Sequence, residues 1–369
     1  MSNNPWIFVD DLPEEARAFS DSLKRGGEID IEFMSPADAR NRLLVELYEP
    51  SGVLMDVDLS SAIDEKGSGP GIAQDIRVKQ KRGEAPEYPI VRFSRLDKVN
   101  LNVKGDPTSD DLFDLKRQKE EVVRDAEGIL SELLGVQDIY SQFKSFGSWE
   151  ALTAEQVFGL DSEEFSAWAD SLLWRKIFGS SGSVHVAAGW LLRTFILPTG
   201  LLIDEETLAL RLGVDIEASG EAWRKLLPKL SSFKYEGLGA EFFPRWWSRG
   251  LDEWWFHTVS TEAPLVATEA RKRVELLSNK FLLDGVSYVR MPSGSLGACP
   301  WVFCELSLLG EGPLRKVPVD PSQSVRFYTD NNYPSWVDTS FVSLKVALQN
   351  KHDKRLDEGD LARLGKKHV

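Results

Sequence analysis

Three carboxylates, a hydroxyl and a lysine each follow a short apolar segment in the first third of the sequence. In chain order they are Asp10, Asp11, Asp56, Ser94 and Lys116. Clustered carboxylates repel one another unless a cation neutralises them, and hard oxygen ligands suit Mg²⁺. A carboxylate can attack a phosphoryl group while a cation, a lysine and a hydroxyl stabilise the phosphoryl oxygens. These residue types therefore predict a magnesium-dependent phosphoryl-transfer site centred on Asp56.

Such a site forms only if the apolar segments are neighbouring strands of one sheet. Four apolar segments alternate with amphipathic stretches of helical spacing, namely Trp6–Val9, Ile29–Met34, Gly52–Met55 and Pro89–Phe93. A fifth short strand is expected at 111–115, directly before Lys116. Strands that alternate with helices pair in parallel through right-handed crossovers, which predicts an α/β doubly wound parallel sheet. Ligands bind such sheets at the carboxyl ends of the strands, where these side chains lie.

The motifs resemble those of bacterial response-regulator receiver domains. Three segments are similar to the family's acidic-pair, phosphoacceptor and switch-hydroxyl strands, in the order Phe8–Asp11, Val53–Ser60 and Val91–Ser94. Phe113 stands three residues before Lys116, where the family keeps an aromatic switch residue. The resemblance covers residues 1–125 and implies a five-stranded, flavodoxin-like receiver.

The resemblance also implies a role for each residue of the site. Asp56 would take a phosphoryl group from the phosphohistidine of a histidine kinase or phosphotransfer protein. Four residues would hold Mg²⁺, namely Asp10, Asp11, Asp56 and, through its main-chain carbonyl, Asp58. Ser94 and Lys116 would contact the phosphoryl oxygens, and Phe113 would rotate with phosphorylation.

Two departures from the family pattern affect the readout. Arg117 stands where proline usually follows the lysine, so the cis peptide common there is not expected. Gly105-Asp106-Pro107 interrupts the segment before Lys116, where a helix normally runs. Receivers dimerise or signal through that face, so the usual output geometry does not carry over and homodimerisation is left open. A degenerate receiver, kept only for docking, is the alternative interpretation.

The composition bounds the classes of protein that fit. A chain of 369 residues exceeds the usual size of one core. We expect a receiver at 1–125, a helical linker at 126–147 and an α+β domain at 148–369, mostly helical and then rich in strands. The sequence has no apolar run of membrane-spanning length, no export leader and only two cysteines, which predicts a cytoplasmic protein without membrane contacts. Its net charge of −14 argues against broad nucleic-acid affinity.

Residues 148–369 resemble no family that we recognise. The preferred hypothesis is a two-component-type signalling protein whose receiver controls a C-terminal protein-binding module, with no enzymatic activity beyond phosphorylation and dephosphorylation of Asp56. A helix-turn-helix-like pattern at Glu205–Leu227 leaves a DNA-binding transcription regulator open, although it offers few basic residues. A phosphate sink, and a regulatory component or effector enzyme of a phage-defence cassette, are further alternatives. The tryptophan pairs at 246–247 and 254–255 are predicted to be core.

Overall fold

The structure is a computed structural model that describes most of the chain. The described residues are 4–24, 28–59, 68–95, 111–146, 152–168, 182–293, 295, 297–308, 316–329 and 334–365. Two predicted features lie outside these ranges. They are the last residue of the phosphoacceptor-like segment, Ser60, and the interruption at Gly105-Asp106-Pro107. The chain forms two compact units, a first of Met1–Ser166, Asp170–Leu197 and Glu236–Phe243, and a second of Ala167–Ala169, Pro198–Tyr235 and Pro244–Val369.

A five-stranded parallel sheet forms the centre of the first unit. Its strands are β1 (Trp6–Val9), β2 (Ile31–Met34), β3 (Gly52–Met55), β4 (Ile90–Ser94) and β5 (Leu115–Gln118). They lie in the order β2-β1-β3-β4-β5, so the direction of the crossovers reverses between β1 and β3. The predicted doubly wound, flavodoxin-like sheet is confirmed. Every residue of β1 and β3 is buried, as their continuous apolar sequences predict for strands covered on both faces.

The fifth strand differs from its predicted position. The sequence pattern places it at 111–115, but it comprises Leu115–Gln118 and pairs with β4 from Val91↔Leu115 to Ser94↔Gln118. Its last three residues are polar and half-buried because the strand lies at the edge of the sheet. The apolar pattern that marks β1 and β3 is therefore missing from β5.

Within the ranges given above, five helical segments accompany the sheet. They are α1 (Pro13–Lys24), α2 (Pro36–Arg40, continued by a π-helical turn over Asn41–Val45), α3 (Gly69–Lys81), α4 (Lys119–Arg124) and α5 (Ala126–Ser145). Ser35 caps α2 by accepting a hydrogen bond from the Asp38 amide, as its sequence position predicts. Asp125 leaves the helical conformation and caps α5 through the Gly128 amide, which breaks the stretch after β5 into two helices.

The predicted linker at 126–147 is part of the first unit. One side of α5 is buried, through Ile129, Leu130, Leu133, Gly135, Val136, Ile139, Tyr140 and Phe143. The described residues that follow include three further helices, α6 (Ala154–Phe158), α7 (Ser162–Trp168) and α8 (Val184–Trp190), and π-helical turns over Leu191–Ile196 continue α8. Because α8 packs on α5, the boundaries predicted at 125 and 147 do not coincide with the compact units.

A buried carboxylate, Asp114, ties several elements of the first unit together at the amino-terminal end of β5. Its Oδ2 accepts from Nη2 of Arg77 on α3 at 2.8 Å and from the Ile90 amide of β4 at 2.8 Å. Its Oδ1 accepts from the Tyr140 hydroxyl on α5 at 2.9 Å and lies 3.4 Å from Nδ1 of His185 on α8. We call Asp114, Arg77, Tyr140 and His185 the Asp114 cluster.

The electrostatics of the Asp114 cluster favour a charged carboxylate beside a neutral histidine. Burial acts to raise the pKa of Asp114, but the Arg77 charge and the hydrogen bond with His185 hold it well below its usual range. Burial, reinforced by the Arg77 charge, lowers the pKa of His185. The single hydroxyl hydrogen of Tyr140 goes to Asp114. In the Nδ1–H tautomer, His185 shares its one Nδ1 hydrogen between Asp114 Oδ1 and the Tyr140 oxygen 3.0 Å away.

The second unit combines helices with small antiparallel sheets. Its helices are α9 (Glu205–Arg211), α10 (Ile216–Ser219), α11 (Glu221–Leu226), α12 (Ser248–Trp254), α13 (Ala270–Phe281), α14 (Glu305–Leu308), α15 (Leu344–Gln349) and α16 (Glu358–Gly365). Its strands pair as β6 (Leu202–Ile203) with β7 (Trp246–Trp247), β8 (Val302–Phe303) with β9 (Pro318–Val319), and β10 (Ser324–Phe327) with β11 (Ser340–Ser343). Trp246, Trp247 and Trp255 are buried, which confirms the core role predicted for them. None of the helices described is long and apolar enough to cross a membrane.

Replacing Asp114 with Asn tests the importance of this buried charge. The variant leaves the Arg77 guanidinium buried without its counter-charge, and we expect the first unit to lose about 3 kcal/mol of stability at pH 7. The folded-state pKa of Asp114 is lowered, so its contribution is present above an unfolded-state pKa of about 4 and fades as the pH falls below that value. Hydrogen exchange of the amides of β1 and β3 measures the loss at each pH.

The control for this prediction is Asp111→Asn, which alters a neighbouring carboxylate whose side chain is 88% exposed. We expect it to change stability by less than about 1 kcal/mol, because exposed ion pairs contribute little. Equal exchange rates in Asp114→Asn and Asp111→Asn would contradict the assignment.

Candidate functional site

Four buried polar side chains meet at the carboxyl edge of the parallel sheet. Asp10 follows β1, Asp56 follows β3, Ser94 ends β4 and Lys119 follows β5. The Lys119 Nζ lies 2.6 Å from Asp10 Oδ2 and 2.8 Å from Asp56 Oδ2, and all three side chains are fully buried. The strand order brings these residues together, because the carboxyl ends of parallel strands meet at one edge.

The two oxygens of Asp56 have different partners. Oδ1 accepts from the Ser94 hydroxyl in a short hydrogen bond and from the Val57 amide at 2.7 Å, and the same amide lies 2.7 Å from Ser94 Oγ. Oδ2 accepts from Lys119. Asp56 is thus held in one orientation by a hydroxyl, an amide and an ammonium, all of them donors that could also bind phosphoryl oxygens.

Close packing behind Asp56 requires a glycine at the start of α3. A Cβ on Gly69 would lie 1.8 Å from the Asp56 main-chain oxygen, which is too close for any other residue. The Gly69 amide donates to the Val57 carbonyl, and Asp58 forms an isolated bridge with Ser68. The chain entering α3 therefore lies directly against Asp56 and the two residues that follow it.

The acidic residues fit a hard divalent cation. One carboxylate oxygen from each of Asp10, Asp11 and Asp56 lies within 4.8 Å of the others, and no other such group of metal ligands is found among the described residues. Three carboxylates beside one ammonium leave an excess of negative charge, and carboxylate oxygens are the ligands that Mg²⁺ and Mn²⁺ prefer. This arrangement is consistent with binding of a divalent metal ion. The part predicted for the Asp58 carbonyl remains a prediction.

The pKa values of the paired groups follow from burial and charge. Burial raises the pKa of Asp10, and the charge of Lys119 opposes that rise. Burial alone would lower the pKa of Lys119, but the charges of Asp56 and Asp10 outweigh it and raise the pKa instead. Lys119 therefore remains an ammonium, and it neutralises part of the acidic cluster from within the protein.

The structure corrects the sequence-based choice of lysine. The sequence pattern assigns contact with the phosphoryl oxygens to Lys116, but this residue lies within β5, paired with Arg92 of β4 and half-buried. The lysine at the site is Lys119. The strand predicted at 111–115 ends four residues before Lys119, so that prediction favoured Lys116 instead. A strand shifted toward Gln118 would have identified Lys119, because it is the first residue after that strand.

Two other assignments depend on the same alignment. Lys116, and not Phe113, stands three residues before Lys119, and the switch role of Phe113 stays a prediction. Phe113 is buried in the core before β5, and its carbonyl accepts from Nη1 of Arg193 at 2.8 Å. Arg117 is not the residue after the site lysine. It forms a bidentate ion pair with Glu132 of α5. Glu120 follows Lys119, so proline is missing there too.

The helix-turn-helix-like pattern folds into the short helices α9, α10 and α11. Ala222, Trp223 and Leu226 of α11 are buried. Arg224, one of the two bases of α11, pairs with Glu221 at 2.9 Å. These contacts are those of an ordinary helical packing unit, and they give no specific support to a DNA-reading helix.

Comparisons with known proteins give matches only among solved structures. No family model and no curated protein matches the sequence. The bacteriophytochrome response regulator RtBRR is 17% identical with a TM-score of 0.26, and the match covers 34% of this chain and 77% of that one. The receiver domain of NtrX from Brucella abortus is 16% identical with a TM-score of 0.23, covering 34% of this chain and 97% of that one.

A third match is the Mn²⁺-bound form of the response regulator Rcp1. It is 20% identical with a TM-score of 0.23, and the match covers 35% of this chain and 92% of that chain. At these identities and scores the likeness carries no argument of its own, and the receiver-like fold rests on the strand order and on the residues at the sheet edge. What this chain is similar to, over about a third of its length, is a response-regulator receiver.

Proposed function

We propose that the first unit is a receiver that accepts a phosphoryl group on Asp56 from the phosphohistidine of a histidine kinase or phosphotransfer protein. The observation that carries this proposal is the convergence of Lys119, Ser94 and the acid pair on one buried carboxylate. A degenerate receiver kept only for docking has no need of this complete set. The proposal gives each of these side chains a chemical role.

The geometry supports an in-line transfer to a carboxylate oxygen. One Asp56 oxygen attacks phosphorus and forms the P–O bond while the P–N bond to the donor imidazole breaks. The leaving nitrogen keeps the bonding electron pair and takes up a proton from water. Lys119 and the Ser94 hydroxyl, which already contact Asp56, then bind phosphoryl oxygens. A divalent cation held by Asp10, Asp11 and Asp56 would neutralise phosphoryl charge when bound. Water attack on the acyl phosphate returns the free carboxylate.

The second part of the proposal is that phosphorylation controls binding of a protein partner by the second unit. An open cavity of about 570 Å³ in that unit is lined by apolar and charged side chains, which suits a mixed protein contact. A π-helical turn over Trp255–Val259 continues α12, and its Phe256 lies in the cavity wall and is 50% exposed. Acidic Asp252 and Glu253 share the wall with Arg249. We place partner binding at this cavity.

Phosphorylation of the full chain by acetyl phosphate tests the first part. With Mg²⁺ we expect one phosphoryl group that is stable in acid and labile in base, as an acyl phosphate is. Intact-mass spectrometry should show none on Asp56→Asn and none when EDTA replaces Mg²⁺. Label that persists at full stoichiometry in Asp56→Asn would refute the acceptor assignment.

The lysine correction is tested by a matched pair of substitutions. Removing one charged donor from a transition state costs on the order of 100-fold in rate, and we expect that loss of phosphorylation rate in Lys119→Met. Lys116→Met removes an equal charge three residues away and should change the rate by less than about twofold. Circular dichroism checks that both variants fold. A large loss in Lys116→Met with normal Lys119→Met would reverse the correction.

Control of a partner is tested by affinity capture with the full chain, with and without acetyl phosphate. We expect at least one protein whose capture depends on the phosphodonor in wild type but not in Asp56→Asn, and which Phe256→Asp fails to capture. Identical partners under all conditions would refute phosphate-controlled binding and favour a phosphate sink.

A further inference from the structure

The two strands that carry the hydroxyl and the lysine of the site are tied together at their opposite ends. Strand β4 has Ser94 at its carboxyl end, and its first residue, Ile90, donates its amide to Asp114 at 2.8 Å. Strand β5 is four residues long, with Asp114 directly before it and Lys119 directly after it. The Asp114 cluster thus contacts both strands, each within five residues of the acceptor site.

The same end of the sheet holds α8 and its continuation, residues 183–196, which we call the α8 segment. The Glu87 carboxylate, in the chain before β4, accepts from the Ser183 hydroxyl at 3.0 Å and from the amides of Val184 and His185 at 3.1 Å and 2.6 Å. It therefore caps the start of α8 with a charge that favours a helix amino terminus.

The rest of the α8 segment is attached to the chain that enters β5. His185 belongs to the Asp114 cluster, and Arg193 donates to the Phe113 carbonyl one residue before Asp114. The turns over Leu191–Ile196 are π-helical, a pattern that is rare and is often found at functional sites. All these contacts lie within the first unit, and at Pro198 the chain enters the second unit.

We propose that the α8 segment is the readout element of the receiver, held against the amino-terminal ends of β4 and β5 by Glu87 and the Asp114 cluster and loosened when Asp56 is phosphorylated. This inference rests on the proposed function. It names the element that passes the change from the acceptor site to the covalent connection with the second unit. In this chain that element comes from sequence about 70 residues after β5.

The physical route is short and continuous. A phosphoryl group on Asp56 offers new acceptors to the Ser94 hydroxyl and to Lys119, so both side chains and their strand ends move toward it. Each strand is short and hydrogen-bonded to its neighbour, so a shift at one end displaces the other. The Asp114 carboxylate already accepts from Ile90, Arg77 and Tyr140, and a buried network of this kind responds by exchanging partners rather than by stretching.

Hydrogen exchange of the full chain tests the proposal, with beryllofluoride and Mg²⁺ as the phosphoryl analogue. We expect exchange of the amides of 184–196 to rise about fivefold or more when the analogue binds, within the usual range of coupling between sites. Asp56→Asn should show no rise. Peptides of β1 and β3 serve as internal references, because their exchange should not increase.

A second variant tests the coupling in reverse. Glu87→Gln weakens the cap at the main-chain amides of Val184 and His185 and replaces no side chain of the Asp114 cluster or of the acceptor site, so it should raise exchange of 184–196 in the absence of the analogue. Linkage then requires tighter beryllofluoride binding by a similar factor, about fivefold. The matched control is Glu84→Gln, an exposed residue three positions earlier in the same connection, which should change neither measurement.

The outcomes separate this inference from the proposed function. Beryllofluoride that binds at Asp56 with unchanged exchange of 184–196 would overturn the readout role of the α8 segment and leave the acceptor role intact. Unchanged beryllofluoride affinity in Glu87→Gln, with exchange raised, would also overturn it, since the two sites would then be uncoupled. If wild type binds no beryllofluoride and takes no phosphoryl group, both proposals fall together.

Discussion

The first unit depends on a simple constraint: a charge removed from water must find a partner of opposite sign. Lys119 meets that requirement at the carboxyl edge of the sheet, where it bridges Asp10 and Asp56. Arg77 meets it at the other edge, where it is paired with Asp114. Unpaired buried charges cost several kcal/mol each, so each pair fixes the relative positions of the elements that supply it. An ion pair thus links elements at each end of the sheet, and only one of the two pairs lies at the proposed phosphoryl-acceptor site.

These two ion pairs differ in how completely the protein compensates their charges. The Asp114 carboxylate accepts hydrogen bonds from protein donors on α3, β4 and α5, so its charge is compensated without a bound ion. The carboxylates around Lys119 retain an excess of negative charge, and one ammonium cannot neutralise them all. A site that remains under-neutralised attracts a divalent cation, and a bound cation in turn frees the ammonium to contact an incoming group. The proposed chemistry depends on this imbalance of charge rather than on any single residue.

Much of this architecture was predictable because buried parallel strands have a strong sequence signal. The continuous apolar runs of β1 and β3 indicate the positions of Asp10, Asp11 and Asp56 without ambiguity. Edge strand β5 has no such signal, because polar side chains are tolerated at the edge of a sheet. The strand was therefore predicted too early in the sequence, and Lys116 was chosen in place of Lys119. The Asp114 cluster could not be predicted from the sequence either. Its members are separated by up to 108 positions, from Arg77 to His185, and only the fold brings them together.

The first unit is built from separate stretches of the sequence, and this has a consequence for folding during translation. Its compact body includes residues 170–197 and 236–243, far from the sheet in sequence. Gly135 on α5 illustrates this, because a Cβ there would meet the side chains of Phe242 and Phe243. When the strands of the sheet have left the ribosome, the residues that complete the first unit have not yet been synthesised. The buried side of α5 therefore stays partly uncovered until translation has passed residue 243. Fragments that end at 125 or 147 would keep that apolar side exposed for good, and such surfaces promote aggregation.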